Sequence, residues 1–187
     1  MIVSQMIDAL SQDHGKYARL ERERRFLLRE LPPGLSRQSE HVQIWDNYIT
    51  GTRLRLRKIR VPKTNEYVWK LTQKYASAPA DFSRTMITNI YLSQYEYETL
   101  SVFNANEIRK NRYPYTDETG RVYAIDFFLG NLLGLILAET DFVTDEELEN
   151  FTCPAFAVAD VTNDELFTGG RLAVMTYDGL RAEMAKR

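Results

Sequence analysis

The sequence predicts an α+β fold in which an eight-stranded antiparallel sheet closes into a barrel around a polar interior, flanked by a few helices. Three observations carry that expectation. Charge recurs at every second residue in Leu20–Phe26, where Glu21, Glu23 and Arg25 are in phase, and in Thr52–Arg57, where Arg53, Arg55 and Arg57 alternate with leucines. An extended strand points alternate side chains to one face, whereas a helix would scatter them around its axis. The pattern returns with Lys70, Thr72 and Lys74, with the pair Lys110 and Arg112, and with the acidic pair Glu139 and Asp141. Strands that are apolar outside and charged inside describe a barrel with a polar lumen.

Taken in order, residues 1–15 suit a short amphipathic helix built on Ile2, Met6, Ile7 and Leu10. Tyr17–Leu31 reads as the first strand, stopped by Pro32-Pro33-Gly34. His41–Thr50 follows, with Val42, Ile44 and Tyr48 in alternation, and Gly51 turns the chain into the arginine strand. Lys63-Thr64-Asn65 is a hairpin turn before Tyr67–Tyr75, and 76–81, small and containing Pro79, reads as a loop. Arg84–Leu92 is a further strand. Ser93–Asn104 changes period to that of a helix, with Ser93 and Glu96 forming a capping box. Glu107–Tyr115 and Arg121–Phe128 make a hairpin around Asp117-Glu118-Thr119-Gly120, and Leu132–Phe142 adds a strand. A helix over 144–151 and a mostly helical 168–186 complete the chain.

The 187 residues are read as one domain, with a core at about 17–175 and helical extensions at both ends. Twenty-four basic against 26 acidic residues give a net charge of −2, so the global positive field of a dedicated nucleic-acid binder is excluded. The single cysteine, Cys153, excludes an internal disulfide framework and a cysteine-rich zinc site. The longest apolar stretch, Leu129–Ala138, is broken by Gly130, Asn131 and Gly134, so neither a membrane span nor a secretory signal is expected, and the reading is a cytoplasmic protein.

The mixed charges point to one ligand class. Guanidinium groups grip phosphate oxygens through forked hydrogen bonds, lysine adds a point charge, and carboxylates hold Mg²⁺ or Mn²⁺, which bridges phosphate oxygens. The inward candidates are Arg25, Arg53, Arg55, Arg57, Lys70, Lys74, Arg84, Lys110 and Arg112 against Glu21, Glu23, Asp126, Glu139 and Asp141. No GxxxxGK[ST] or GxGxxG loop and no HExxH motif is present, and His14 and His41 form no cluster.

Glu21-Arg22-Glu23-Arg24-Arg25-Phe26-Leu27 resembles the N-terminal ExExK signature of the CYTH superfamily, the triphosphate tunnel metalloenzymes. Leu54–Arg57, Leu71–Lys74, Lys110–Tyr113, Ile125–Gly130, Gly134–Phe142 and Asp160–Asp164 resemble later family motifs in the family's order, over roughly Leu20–Ala173. The resemblance implies an eight-stranded tunnel that hydrolyses inorganic triphosphate or another triphosphate-bearing molecule with Mg²⁺ or Mn²⁺. Glu21, Glu23 and Glu139, with Asp126 and Asp141, would be metal ligands; Arg53, Arg55, Arg57, Lys70, Lys74, Arg84 and Arg112 would bind phosphate. Lys110 and Arg25 would act in catalysis, Lys110 by helping to activate water. Homodimers are common in the family.

Departures from the family pattern define the alternatives. Arg25 stands where the signature has lysine, and Met86 and Thr88 stand where the family has an ExE pair after the Ser83-Arg84 match. A polyphosphate- or nucleotide-binding module without turnover is therefore one alternative. An adenylate cyclase is another, although the sequence offers no legible adenine pocket.

Overall fold

Alternating side chains decide which way each strand faces, and the computed structural model, which describes residues 17–186, shows that they close a barrel. Its strands are β1 (Arg19–Leu28), β2 (Val42–Ile49), β3 (Leu54–Val61), β4 (Glu66–Ala78), β5 (Asp81–Leu92), β6 (Ala105–Thr116), β7 (Val122–Leu129), β8 (Ile136–Asp141) and the two-residue β9 (Ala159–Asp160). Every pairing is antiparallel, in the order β5-β4-β3-β2-β6-β7-β8-β1, and β1 returns to β5 through Arg19↔Ile87 to Arg22↔Arg84. The eight-stranded antiparallel barrel is thus as expected. β9 is an addition: it pairs with the second half of β1, at Phe26↔Asp160, where β5 no longer runs beside it.

Between the strands lie α1 (Gln94–Leu100), α2 (Asp145–Asn150), α3 (Gly169–Leu172) and α4 (Tyr177–Met184). The Ser93 capping box forms as predicted, its hydroxyl accepting from the Glu96 amide while the Glu96 carboxylate accepts from the Ser93 amide. Thr144 and Glu147 make a second box at α2. The predicted helix over residues 1–15 lies outside the described residues.

Two expectations need correction. The loop expected over 76–81 is a tight hairpin: β4 runs to Ala78 and β5 starts at Asp81, with Ala80 at φ 59° absorbing the reversal. The strand expected from Leu132 begins only at Ile136, because Gly130 and Gly134 take positive φ around a 3-10 turn at Gly130–Leu132. The C-terminal region is mostly helical as expected, in two short helices.

The two faces of the wall do different work. Outside, Phe26, Tyr113, Tyr123, Ile125, Phe127 and Ala138 form one buried cluster. At one end, Phe167, Leu166, Leu172 and Leu180 pack onto Ile108, Phe128 and Leu137. The segment around Phe167 and α3 therefore caps one half of the barrel with apolar side chains. Gly169 permits this closeness: a Cβ there would lie 1.9 Å from the Tyr48 hydroxyl.

Candidate active site

The barrel encloses a cavity of about 1680 Å³ whose lining carries most of the charged residues expected inside. Glu21, Glu23, Arg25, Arg55, Arg57, Lys70, Lys74, Lys110, Arg112, Glu139 and Asp141 all reach it, and Arg53 stands at its rim over the Tyr75 ring. Burying charge is costly unless it is paired, and the pairing forms one connected band. Lys74 Nζ donates to Glu21 at 2.7 Å and to Glu23 at 2.9 Å. Glu23 accepts from Arg25 Nη2 at 2.8 Å, and Arg25 Nε donates to Glu139 at 3.0 Å. Glu139 accepts from Arg112 at 2.6 Å, and Arg112 grips Asp126 with two hydrogen bonds of 2.6 Å. Lys110 Nζ closes the band on Asp126 at 2.6 Å.

Arg25 has a further partner that the sequence could not reveal. Its Nη1 donates to the Phe167 carbonyl at 3.1 Å, tying the acidic side of the cavity to the apolar cap. A lysine at this position would carry the charge but could not place three separate nitrogens on three acceptors in one plane.

Asp126, expected as a metal ligand, sits behind the cavity surface. It is 1 % exposed, its Oδ1 accepts from Arg112 and its Oδ2 from both Arg112 and Lys110, so it pairs with those two cations. Arg84, expected as a phosphate ligand, is a clear correction. It points outside the barrel, where Nε donates to Asp145 at 2.7 Å and Nη2 to Glu149 at 2.6 Å. The register shows why: Arg84 pairs with Arg22, itself outward, whereas Thr85 pairs with Glu21, which faces in. Met86 and Thr88 share Arg84's outward phase, so the inward side chains of β5 are Thr85, Ile87 and Asn89, none of them acidic.

One buried charge of the cavity lining was missed. Asp46 on β2 is 1 % exposed and receives Arg57 Nε at 2.5 Å and Nη2 at 2.7 Å, with Arg55 Nε 3.4 Å away. The signal was available, since Asp46 is the in-phase residue between Ile44 and Tyr48 in the strand read from His41 to Thr50.

Electrostatics divides the cavity into two poles. Along β3 and β4, Lys70 is drawn down to about 8 by burial and by facing Arg57 and Arg55, with Asp46 opposing the shift. Arg55 Nε is buried without a hydrogen-bond partner. Along β1 and β8, Asp141 is pushed up by burial and by facing Glu23, Glu21 and Glu139. Positive charge in excess thus meets Lys70, and negative charge in excess meets Asp141. Glu139 lies between: burial would raise it, but Arg112, Arg25, Lys110 and Lys74 hold it well below the usual carboxylate range.

The acidic pole offers hard oxygen donors, the chemistry that Mg²⁺ and Mn²⁺ take. Among the described residues no three such side chains converge as a ready-made metal group. The carboxylates Glu21 and Glu23 are bridged by the Lys74 ammonium. The mutual repulsion felt at Asp141 is the feature that a divalent cation bound by these oxygens would relieve.

No family model matches the chain. An inorganic triphosphatase from Nitrosomonas europaea is 24% identical over 159 residues, covering 82% of this chain and 97% of that protein. The crystal structure of an inorganic triphosphatase superposes with a TM-score of 0.55 at 24% identity, over 82% of this chain and 94% of its own. A second crystal structure of that same protein, there described as hypothetical, gives a TM-score of 0.56 at 23% identity, over 83% and 99%. The chain shares with these two structures a closed eight-stranded barrel, the fold that the ordered motifs led the sequence to predict.

Proposed function

We propose that this tunnel hydrolyses inorganic triphosphate with the help of Mg²⁺ or Mn²⁺. The observation that carries the reading is the pair of opposed poles on one cavity, an anion site at Arg55, Arg57 and Lys70 and an acidic site at Glu21, Glu23 and Asp141. The relative that covers most of the chain supports it, since that protein is named an inorganic triphosphatase.

Each residue then has a task that its surroundings fit. Arg55, Arg57 and Lys70 receive the phosphate oxygens, and Arg112 joins them from β6, two strands round the wall from β3, held by Asp126 and Glu139. Glu21, Glu23 and Asp141, with Glu139 beside them, would hold a divalent cation. Such an ion, when bound, supplies charge neutralisation and polarises phosphoryl oxygens. Lys110, fixed by Asp126, is the group placed to orient the attacking water. The water oxygen forms a bond to the terminal phosphorus, the bond from that phosphorus to the bridging oxygen breaks, and orthophosphate and pyrophosphate leave. Catalysis of this kind rests on positioning and charge neutralisation rather than on covalent chemistry.

Orthophosphate release from inorganic triphosphate, measured with Mg²⁺, with Mn²⁺ and with chelator, tests the proposal. Metal-dependent release is expected, and silence from protein that binds triphosphate contradicts it. A binding module without turnover is the second reading, favoured by the absence of any carboxylate on the inward face of β5 at Thr85, Ile87 and Asn89. Tight binding that ignores chelator, with no release, would establish that reading instead.

A further inference from the structure

A carboxylate is an unexpected occupant of an anion site, because it repels the ligand that the surrounding cations attract. Asp46 nevertheless lies buried between Arg55 and Arg57. Burial works to raise its pKa, and the two arginines overcome that and hold it ionised below the usual carboxylate range. Its contacts are unequal. Arg57 is clamped along one edge, with Nε and Nη2 on the two carboxylate oxygens, which leaves its Nη1 outside the clamp. Arg55 stands 3.4 Å away with its Nε buried and without a hydrogen-bond partner, while its Nη2 donates to the Thr72 hydroxyl at 3.4 Å and its guanidinium also meets the Tyr48 hydroxyl. Thr72 in turn donates to Asn89 at 2.7 Å. A guanidinium that is fixed but not saturated is what a preorganised phosphate site requires, since side-chain ordering is then completed before the ligand arrives.

We propose that Asp46 is a positioning residue for triphosphate: it aims the Arg57 fork and keeps Arg55 apart from it, so that both meet the ligand's oxygens. This rests on the triphosphate reading of the tunnel. If Asp46 were only a tolerated charge, Asp46→Asn would remove its repulsion of a bound anion and tighten binding by about a hundredfold or more, taking a separation of about 5 Å and an effective dielectric of about 20. If Asp46 aims the arginines, the same change weakens binding although the site becomes more positive, because the new amide N–H groups face the Arg57 donors.

Calorimetric titration with inorganic triphosphate decides between them, alongside thermal unfolding to establish that each variant is folded. Asp46→Asn is expected to bind at least about tenfold more weakly than the unaltered protein at low salt. Asp46→Glu, which keeps the charge and moves it by one methylene, is expected to weaken binding as well, whereas a charge-only role leaves it unchanged. Equal or tighter binding by folded Asp46→Asn overturns the proposal. So does failure of both variants to fold, which would assign the pair to stability. If the unaltered protein does not bind triphosphate, the functional reading itself has failed, and that result is distinct from either outcome.

Discussion

Arg57 and Arg84 are both arginines on the barrel strands, both pair with an aspartate, and both were expected to bind phosphate. Arg57 meets Asp46 inside the wall, at 8 % and 1 % side-chain exposure. Arg84 meets Asp145 outside it, at 24 % and 50 %. A single step in strand phase separates these fates, because side chains alternate across the sheet. The difference is energetic as well as geometric. Exposed pairs are screened by water, whereas a buried pair that loses one partner leaves an uncompensated charge in a poor solvent.

The largest effect is therefore expected inside. Arg57→Ala should cost about 3 kcal/mol of stability, the low end for a broken buried pair because Arg55 remains 3.4 Å from Asp46, and Arg84→Ala should leave the urea midpoint unresolved from that of the unaltered protein. Comparable losses from the two would break the comparison.

Next in size are the variants at the acidic pole. Glu23→Gln removes a carboxylate that faces Asp141 and accepts from Arg25 and Lys74. It should raise the Mn²⁺ concentration for half-maximal phosphate release by about tenfold or more. Lys74→Met takes the ammonium off Glu21 and Glu23, so Mn²⁺ titrated without triphosphate should bind more tightly while triphosphate binds more weakly. A fall in both affinities would mean that Lys74 holds the pole together rather than competing for it.

A smaller effect is expected from pH. Lys70 titrates near 8 in the empty tunnel, and a bound anion favours its charged form. Triphosphate binding should take up a proton around pH 8 and weaken between pH 7 and 9 by more than in Lys70→Arg, which stays charged throughout. Identical pH profiles would remove Lys70 from the anion site. The smallest effect belongs to Asp145, held at about 2 by hydrogen bonds from Arg22 and Arg84. Because its folded pKa is depressed, whatever stability it adds is present above about pH 4 and is lost as the pH falls towards 2. Asp145→Asn should thus differ from the unaltered protein, by a small margin in thermal midpoint, only above that window.

The wall was legible in the sequence wherever charge or polarity recurred at every second residue, as in β1, β3, β4 and β8. Arg84 was misplaced because resemblance reports residue identity, not phase. Its phase is set by the tight Ala78–Asp81 hairpin, and that hairpin was hidden by small residues and Pro79, which read as loop. Asp46 was passed over because a lone acid among Ile44, Trp45 and Tyr48 makes no run of charge, although it stood in the inward phase. The Phe167 carbonyl that receives Arg25 is a backbone group brought from the far end of the chain, and no side-chain pattern announces it. The poles are likewise a property of closure: Glu21 and Asp141 are far apart in sequence and share a face only once β1 pairs with β8 at Glu23↔Asp141.

Inorganic triphosphate titrated into the unaltered protein, Arg57→Ala and Arg84→Ala tests most directly whether inward phase decides function. The account predicts that folded Arg57→Ala loses about a hundredfold or more in affinity, in line with a buried charge-assisted contact, while Arg84→Ala stays within about twofold of the unaltered protein. Equal losses in the two variants, or a loss confined to Arg84→Ala, would contradict it.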